Sequence, residues 1–301
     1  MKRFAITFLM LVTLGCAFPA MAKIKVVTTS ADLAYFARAI GGEDAEVSSI
    51  LKGFQDPHFA AAKPSYMVAV SRADLLLSIG LDLEIGWLPL IVQGARNPDI
   101  MPGAPGFLDC SQFVTPIEIP AAGVDRSKGD LHPKGNPHYW LDPVNARAVA
   151  SGIAGRMGEI LPDAQPRFQQ NLKRLRAEID QAETEARQVL ASGEKPPIVT
   201  YHVTYSYFLN RFGLSAAAFV EPKPGIPPSP SHVASLVIRL KGFSRPAVIL
   251  VEPYYDQDIA KDLAAQTGAR WVVTPSSIGG GETASTYREL LVSIAHAIVG
   301  R

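Results

Sequence analysis

Cysteine is nearly absent from this 301-residue chain, which has only Cys16 and Cys110. Residues 1–22 read as a secretory signal: Lys2 and Arg3, an apolar run from Phe4 to Leu14, then Ala20-Met21-Ala22 as the cleavage signal. Cleavage there leaves Cys110 alone, which excludes an intramolecular disulfide and makes the fold depend on its core. An excess of charge of either sign is missing too. Once Lys2 and Arg3 are removed, 27 basic side chains face 28 acidic ones, so nucleic acid and anionic membrane have no electrostatic attraction to exploit. No later stretch reaches 18 uninterrupted apolar residues, so no permanent membrane span is expected. The chain has no Gly-x-x-x-x-Gly-Lys-Ser/Thr loop, no helix motif of two histidines four apart around a glutamate, and no Gly-x-Ser-x-Gly turn. These absences remove P-loop nucleotide hydrolysis and two common hydrolase chemistries.

Strand and helix signals alternate along the chain. Val26 to Thr29 is a β-branched run, Ser30 offers an N-cap, and Leu33, Phe36, Ala37 and Ile40 follow at helical spacing up to Gly41-Gly42. Val47 to Leu51 predicts a second strand, and Leu75 to Ile79 a third, with a short helix around Tyr66, Met67 and Val70 between them. Residues 96–137 are rich in Pro and Gly and read mostly as loop. Phe168, Leu172, Leu175, Ile179, Ala182, Ala186 and Val189 then step by four and three among charged residues, which predicts one long amphipathic helix ending near Gly193. Alternation resumes with strands at Pro197 to Tyr201, Ala247 to Val251 and Trp271 to Val273, and with a last helix carrying Tyr287, Leu290, Leu291, Ile294 and Ile298. The pattern is that of an α/β protein with two parallel-sheet lobes joined by one rigid helix. The expected divisions are a signal peptide at 1–22, a lobe at 23–163, a linking helix at 164–193 and a second lobe at 194–301.

Histidine is scarce, with six in all, yet three sit in distinctive phrases: Asp56-Pro57-His58, Asn136-Pro137-His138-Tyr139-Trp140-Leu141-Asp142-Pro143 and Val199-Thr200-Tyr201-His202. Neutral imidazole is a frequent ligand of zinc and its neighbours. Separations of 80 and 64 residues exclude a zinc finger, whose ligands come in close pairs. In open α/β sheets ligands lie beyond the carboxyl ends of strands, where His58 and His202 both fall, one in each lobe. A metal site in the interlobe cleft follows. His132, His232 and His296 read as ordinary structural histidines, and Asp142 as a helix cap or a support for His138. Pro222 to Pro230, with five prolines, reads as a stiff surface loop.

Taken together, these phrases resemble the solute-binding subunits of bacterial ABC importers for zinc and manganese. So do Ser71-Arg72-Ala73-Asp74-Leu75, Gly80-Leu81-Asp82-Leu83-Glu84, Tyr207-Phe208 and Val251-Glu252-Pro253. The resemblance implies metal capture without chemistry, no catalytic residue, and delivery to a membrane permease by a periplasmic monomer. It implies one Zn(II) per chain on His58, His138 and His202, because zinc members carry histidine where manganese members carry a carboxylate at position 202. A periplasmic metallochaperone is a possible donor, and a lipid anchor at Cys16 is the alternative to simple secretion.

The chain departs from the family at the fourth ligand. Thr274, in Val273-Thr274-Pro275-Ser276, stands where an aspartate is expected, and a neutral hydroxyl is a poor zinc ligand. Glu252 is the preferred replacement, Glu221 the other candidate, and water a third. The competing functions are Mn(II) or Fe(II) binding of the same type, a secreted three-histidine zinc enzyme, and a surface adhesin.

Overall fold

The structure, a computed structural model, describes residues 23–121, 129 and 131–300. The expected signal segment, including Cys16, lies outside the described residues. Two four-stranded sheets form the frame, both wholly parallel. The first contains β1 (Ile24–Thr28), β2 (Ala45–Ser49), β3 (Leu75–Ser78) and β4 (Phe107–Asp109) in the order β2-β1-β3-β4. The second contains β5 (Ile198–Thr200), β6 (Ala216–Phe219), β7 (Val248–Val251) and β8 (Arg270–Val273) in the order β6-β5-β7-β8. The two lobes therefore repeat one topology without repeating a sequence. In each, the chain steps from the first strand to a neighbour on one side and then crosses to the other. That reversal opens a crevice at the carboxyl ends of the strands.

Helices cover both sheets. In the first lobe these are α1 (Ala31–Gly41), α2 (Pro64–Ser71), α3 (Leu88–Ala95) and α4 (Pro143–Ile160). The Ser30 hydroxyl caps α1, as expected, by accepting from Leu33 N–H at 3.2 Å. The linking helix α5 (Gln165–Ala191) has 27 residues and is about 40 Å long at 1.5 Å per residue. Its Phe168, Leu172, Leu175, Ile179, Ala182, Ala186 and Leu190 are buried against α1, α4 and the last helix. The second lobe adds α6 (Ser206–Arg211), α7 (Pro230–Lys241), α8 (Gln257–Thr267) and α9 (Tyr287–Val299). One core runs through α5 and joins residues of both lobes. No helix among the described residues is long and apolar enough to cross a membrane.

Hydrogen bonds tie the lobes together around the crevice. Asp32, at the start of α1, accepts from the Ile278 N–H at 2.9 Å and from the Ser277 hydroxyl. Trp140 Nε1 donates to Ser276 O at 2.8 Å, and Tyr207 Oη donates to Asn136 O at 2.8 Å. Gly53 faces residues 278–280 so closely that an added Cβ would stand 2.0 Å from Ile278 O. Only glycine permits that approach of the two lobes.

Candidate metal centre

Two of the three histidines are built by the same short device. In Asp56-Pro57-His58, Asp56 Oδ1 accepts from the His58 backbone N–H at 2.9 Å and contacts His58 Nδ1 at 2.8 Å. In Asn136-Pro137-His138, Asn136 Oδ1 does the same at 2.9 and 2.8 Å. The proline between them fixes φ, and the Asx side chain closes the turn onto the residue two positions on. The histidine is thus held at both its backbone and its ring.

His202 is set differently. It follows β5 by two residues, and Glu221 follows the neighbouring strand β6 by two, so parallel pairing brings them side by side. Glu221 Oε2 takes His202 Nδ1 at 2.7 Å and the Gly225 N–H at 3.2 Å. Each of the three imidazoles therefore engages a carboxylate or amide oxygen through Nδ1. This network assigns the proton to Nδ1 and leaves the Nε2 lone pair to face a cation.

Those lone pairs converge. One ligand atom from each of His58, His138 and His202 lies within 4.8 Å of the others, and all three residues are buried. The ring centroids are 5.1–5.3 Å apart. Among the described residues, Nε2 of His138 and Nε2 of His202 have no hydrogen-bond partner, an expensive arrangement for buried polar atoms unless a ligand completes it. Burial holds His138 well below the usual histidine pKa, and the positive charge that His58, His202 and His132 would carry pushes it further down. It is therefore neutral, the form a metal requires. At Asp56 burial works to raise the carboxyl, but its bonds to His58 outweigh that and keep it below its ordinary value. Asp56 and Glu221 together set two carboxylates behind the ring of histidines. A divalent charge would be balanced from one layer out.

Glu252, one residue past β7, is not part of the converging group. It is wholly buried, and neither carboxyl oxygen is hydrogen-bonded among the described residues; the Thr204 hydroxyl approaches without completing a bond. Burial raises its pKa to about 8, and Glu221 and Asp56 push the same way, so it is mostly protonated at neutral pH. Thr274 directs its hydroxyl to Val272 O at 3.2 Å. Glu221, the other candidate, is occupied with His202.

Asp142 caps α4 through the Val144 N–H at 2.8 Å and pairs with Arg211 at 2.7 and 2.8 Å, but the support for His138 comes from Asn136. His132 lies in a loop, as expected, and is buried with its ring 5.3 Å from that of His58. Sequence reasoning also passed over Asn136 as a positioning residue. The signal was available, since Asp-Pro-His and Asn-Pro-His are one pattern with interchangeable acceptors.

Comparison with known proteins agrees with this architecture. A family profile described as the periplasmic component A of the zinc-uptake complex (ZnuA) matches residues 26–300. The manganese ABC transporter substrate-binding lipoprotein PsaA of Streptococcus pneumoniae is 26% identical over 281 residues, covering 89% of this chain and 86% of that protein. The iron ABC transporter substrate-binding lipoprotein MtsA of Streptococcus pyogenes serotype M1 is 26% identical over 254 residues, covering 82% and 77%. Among solved structures, the crystal structure of ZnuA superposes with a TM-score of 0.78 at 24% identity, covering 92% of this chain and 98% of that one.

Proposed function

The chain belongs to the family of the periplasmic zinc-uptake component A, a family of metal-binding components of ABC importers rather than enzymes, and from that premise we propose that it captures Zn(II) outside the cytoplasm. His58, His138 and His202 hold one ion per chain, and the loaded protein delivers it to a membrane permease. A separate subunit hydrolyses the ATP. The protein acts as a periplasmic monomer after loss of residues 1–22, with a metallochaperone as one possible donor. Lipid attachment through Cys16 is the alternative form of retention, in keeping with relatives named as lipoproteins.

The observation that carries this reading is the convergence of three buried imidazoles whose Nδ1 atoms are already engaged. Three nitrogen ligands favour zinc over Mn(II), which prefers oxygen. Carboxylates behind the rings raise ligand basicity and supply negative charge without entering the coordination sphere. Glu252 was the expected fourth ligand. Its position outside the group favours leaving that corner to another donor.

A second reading has its own support, because relatives are named for manganese and iron. Native mass spectrometry with elemental analysis of protein purified without added metal separates the two. One zinc per chain supports the proposal, manganese or iron favours the second reading, and no metal contradicts both.

A further inference from the structure

Three histidines leave one corner of a tetrahedral zinc sphere open. We propose that His132 fills it when the ion binds, an inference that rests on the three-histidine reading above and adds a ligand to it. His132 is buried, and its ring centroid lies 5.3 Å from that of His58 at an interplanar angle of 38°. That spacing matches the 5.1–5.3 Å separating the three converging rings from one another.

The backbone that carries His132 is already in place. Residues 132–138 form one short stretch with His132 at one end and His138 at the other. The Gly135 N–H donates to His132 O at 3.0 Å, closing a tight turn. Lys134 Nζ meets Asp82 Oδ1 at 2.9 Å, and the Asn136 N–H donates to Ile117 O at 2.9 Å. With the chain fixed at these points, the ring would have to turn about its own torsions to meet the ion. It packs on His58 rather than within the group of ligand atoms, so the movement accompanies binding.

Three of the competing donors are committed elsewhere. Thr274 bonds Val272 O, while Asp56 and Glu221 hold Nδ1 of His58 and of His202. Glu252 lies outside the converging ligand atoms, as His132 does, and is the remaining alternative for the open corner. A fourth imidazole would give an all-nitrogen sphere with no charge of its own. The two carboxylates behind His58 and His202 would then balance the ion. Such a sphere discriminates against oxygen-preferring Mn(II) more strongly than three histidines and a carboxylate would.

The test uses metal-stripped, full mature protein reloaded with one equivalent of zinc. X-ray absorption at the zinc edge should count four imidazoles in the wild type and three in His132→Ala. Competition titration against a chelating dye should show that His132→Ala weakens zinc binding by more than about 100-fold, the upper end of the loss typical of a mere supporting residue. Three imidazoles in the wild type, or unchanged affinity in His132→Ala, overturns the proposal. A loss confined to Glu252→Gln also overturns it and assigns the corner to that carboxyl. His138→Ala separates the two levels of inference. If it abolishes binding while His132→Ala does not, only the fourth ligand is wrong; if it too retains affinity, the three-histidine site itself fails. The wild-type count needs no variant to fold.

Discussion

Glu221 offers the sharpest test of how the site is balanced, because its carboxylate fixes His202 without belonging to the converging ligand atoms. Replacing it with glutamine keeps a carbonyl oxygen able to accept from Nδ1–H and from the Gly225 N–H, now 2.7 and 3.2 Å away. Only the charge is lost. A hydrogen bond to a charged group contributes about 1.5–3 kcal/mol and a neutral one about 0.5–1.5, so the difference is roughly 1–1.5 kcal/mol. That corresponds to about a tenfold weaker zinc complex. Alanine removes the whole bond and frees the ring to turn, which extends the loss toward about 100-fold. Zinc affinity is read by competition with a chelating dye at pH 7.5 on metal-stripped protein, with circular dichroism confirming the fold. Binding by both variants within about twofold of the wild type would refute the claim that the outer carboxylate tunes the metal.

Other consequences are open to measurement. His202→Ala removes one of three converging ligands and should weaken zinc binding by several orders of magnitude in titration calorimetry, with the fold intact; unchanged affinity would contradict the assignment. Glu84 is held at about pKa 7 rather than 4.5 by burial, against the pull of bonds from Thr29, Ile79 and Gly80. Its folded pKa lies above the unfolded one, so its contribution is complete below about pH 4.5 and is lost as pH rises through 7. Unfolding free energies of the metal-free wild type from urea titration should therefore fall between pH 5 and 8 relative to Glu84→Gln by about 2.5 kcal/mol, and parallel pH profiles would exclude this. Asp142→Ala removes the cap of α4 and its partner on Arg211, which should cost about 1–2 kcal/mol of stability. Zinc affinity should be unchanged, since His138 leans on Asn136; a parallel loss of affinity would show that Asp142 supports the site after all.

Much of the architecture was legible because its signals are strong and local. The long helix announces itself through seven apolar residues at steps of three and four, and Gln165–Ala191 falls close to that expectation. The strands lined with Val, Ile and Leu were likewise readable, being buried on both faces of parallel sheets. β4 and β6 were not. One is three residues within a Pro- and Gly-rich stretch, and the other reads Ala216-Ala217-Ala218-Phe219, so pairing to neighbouring strands makes them strands, not their own propensity. The three histidines were visible from their phrases, yet their partners divided by distance in sequence. Asp56 and Asn136 sit two residues away from the ring they hold, whereas Glu221 is 19 residues from His202 and meets it only because β5 and β6 pair in parallel. His132 shows the opposite limit. Nothing in its local sequence distinguishes a loop histidine from one carried back over a cleft, and only the turn at Gly135 with its anchors brings it beside His58.

The central claim is that one divalent ion sits among Nε2 of His58, His138 and His202, and zinc-edge anomalous diffraction from crystals of the loaded protein tests it directly. A single peak about 2.0–2.1 Å from all three Nε2 atoms is the expected result. A peak bound elsewhere, or a loaded protein whose three histidines carry no metal, would contradict it.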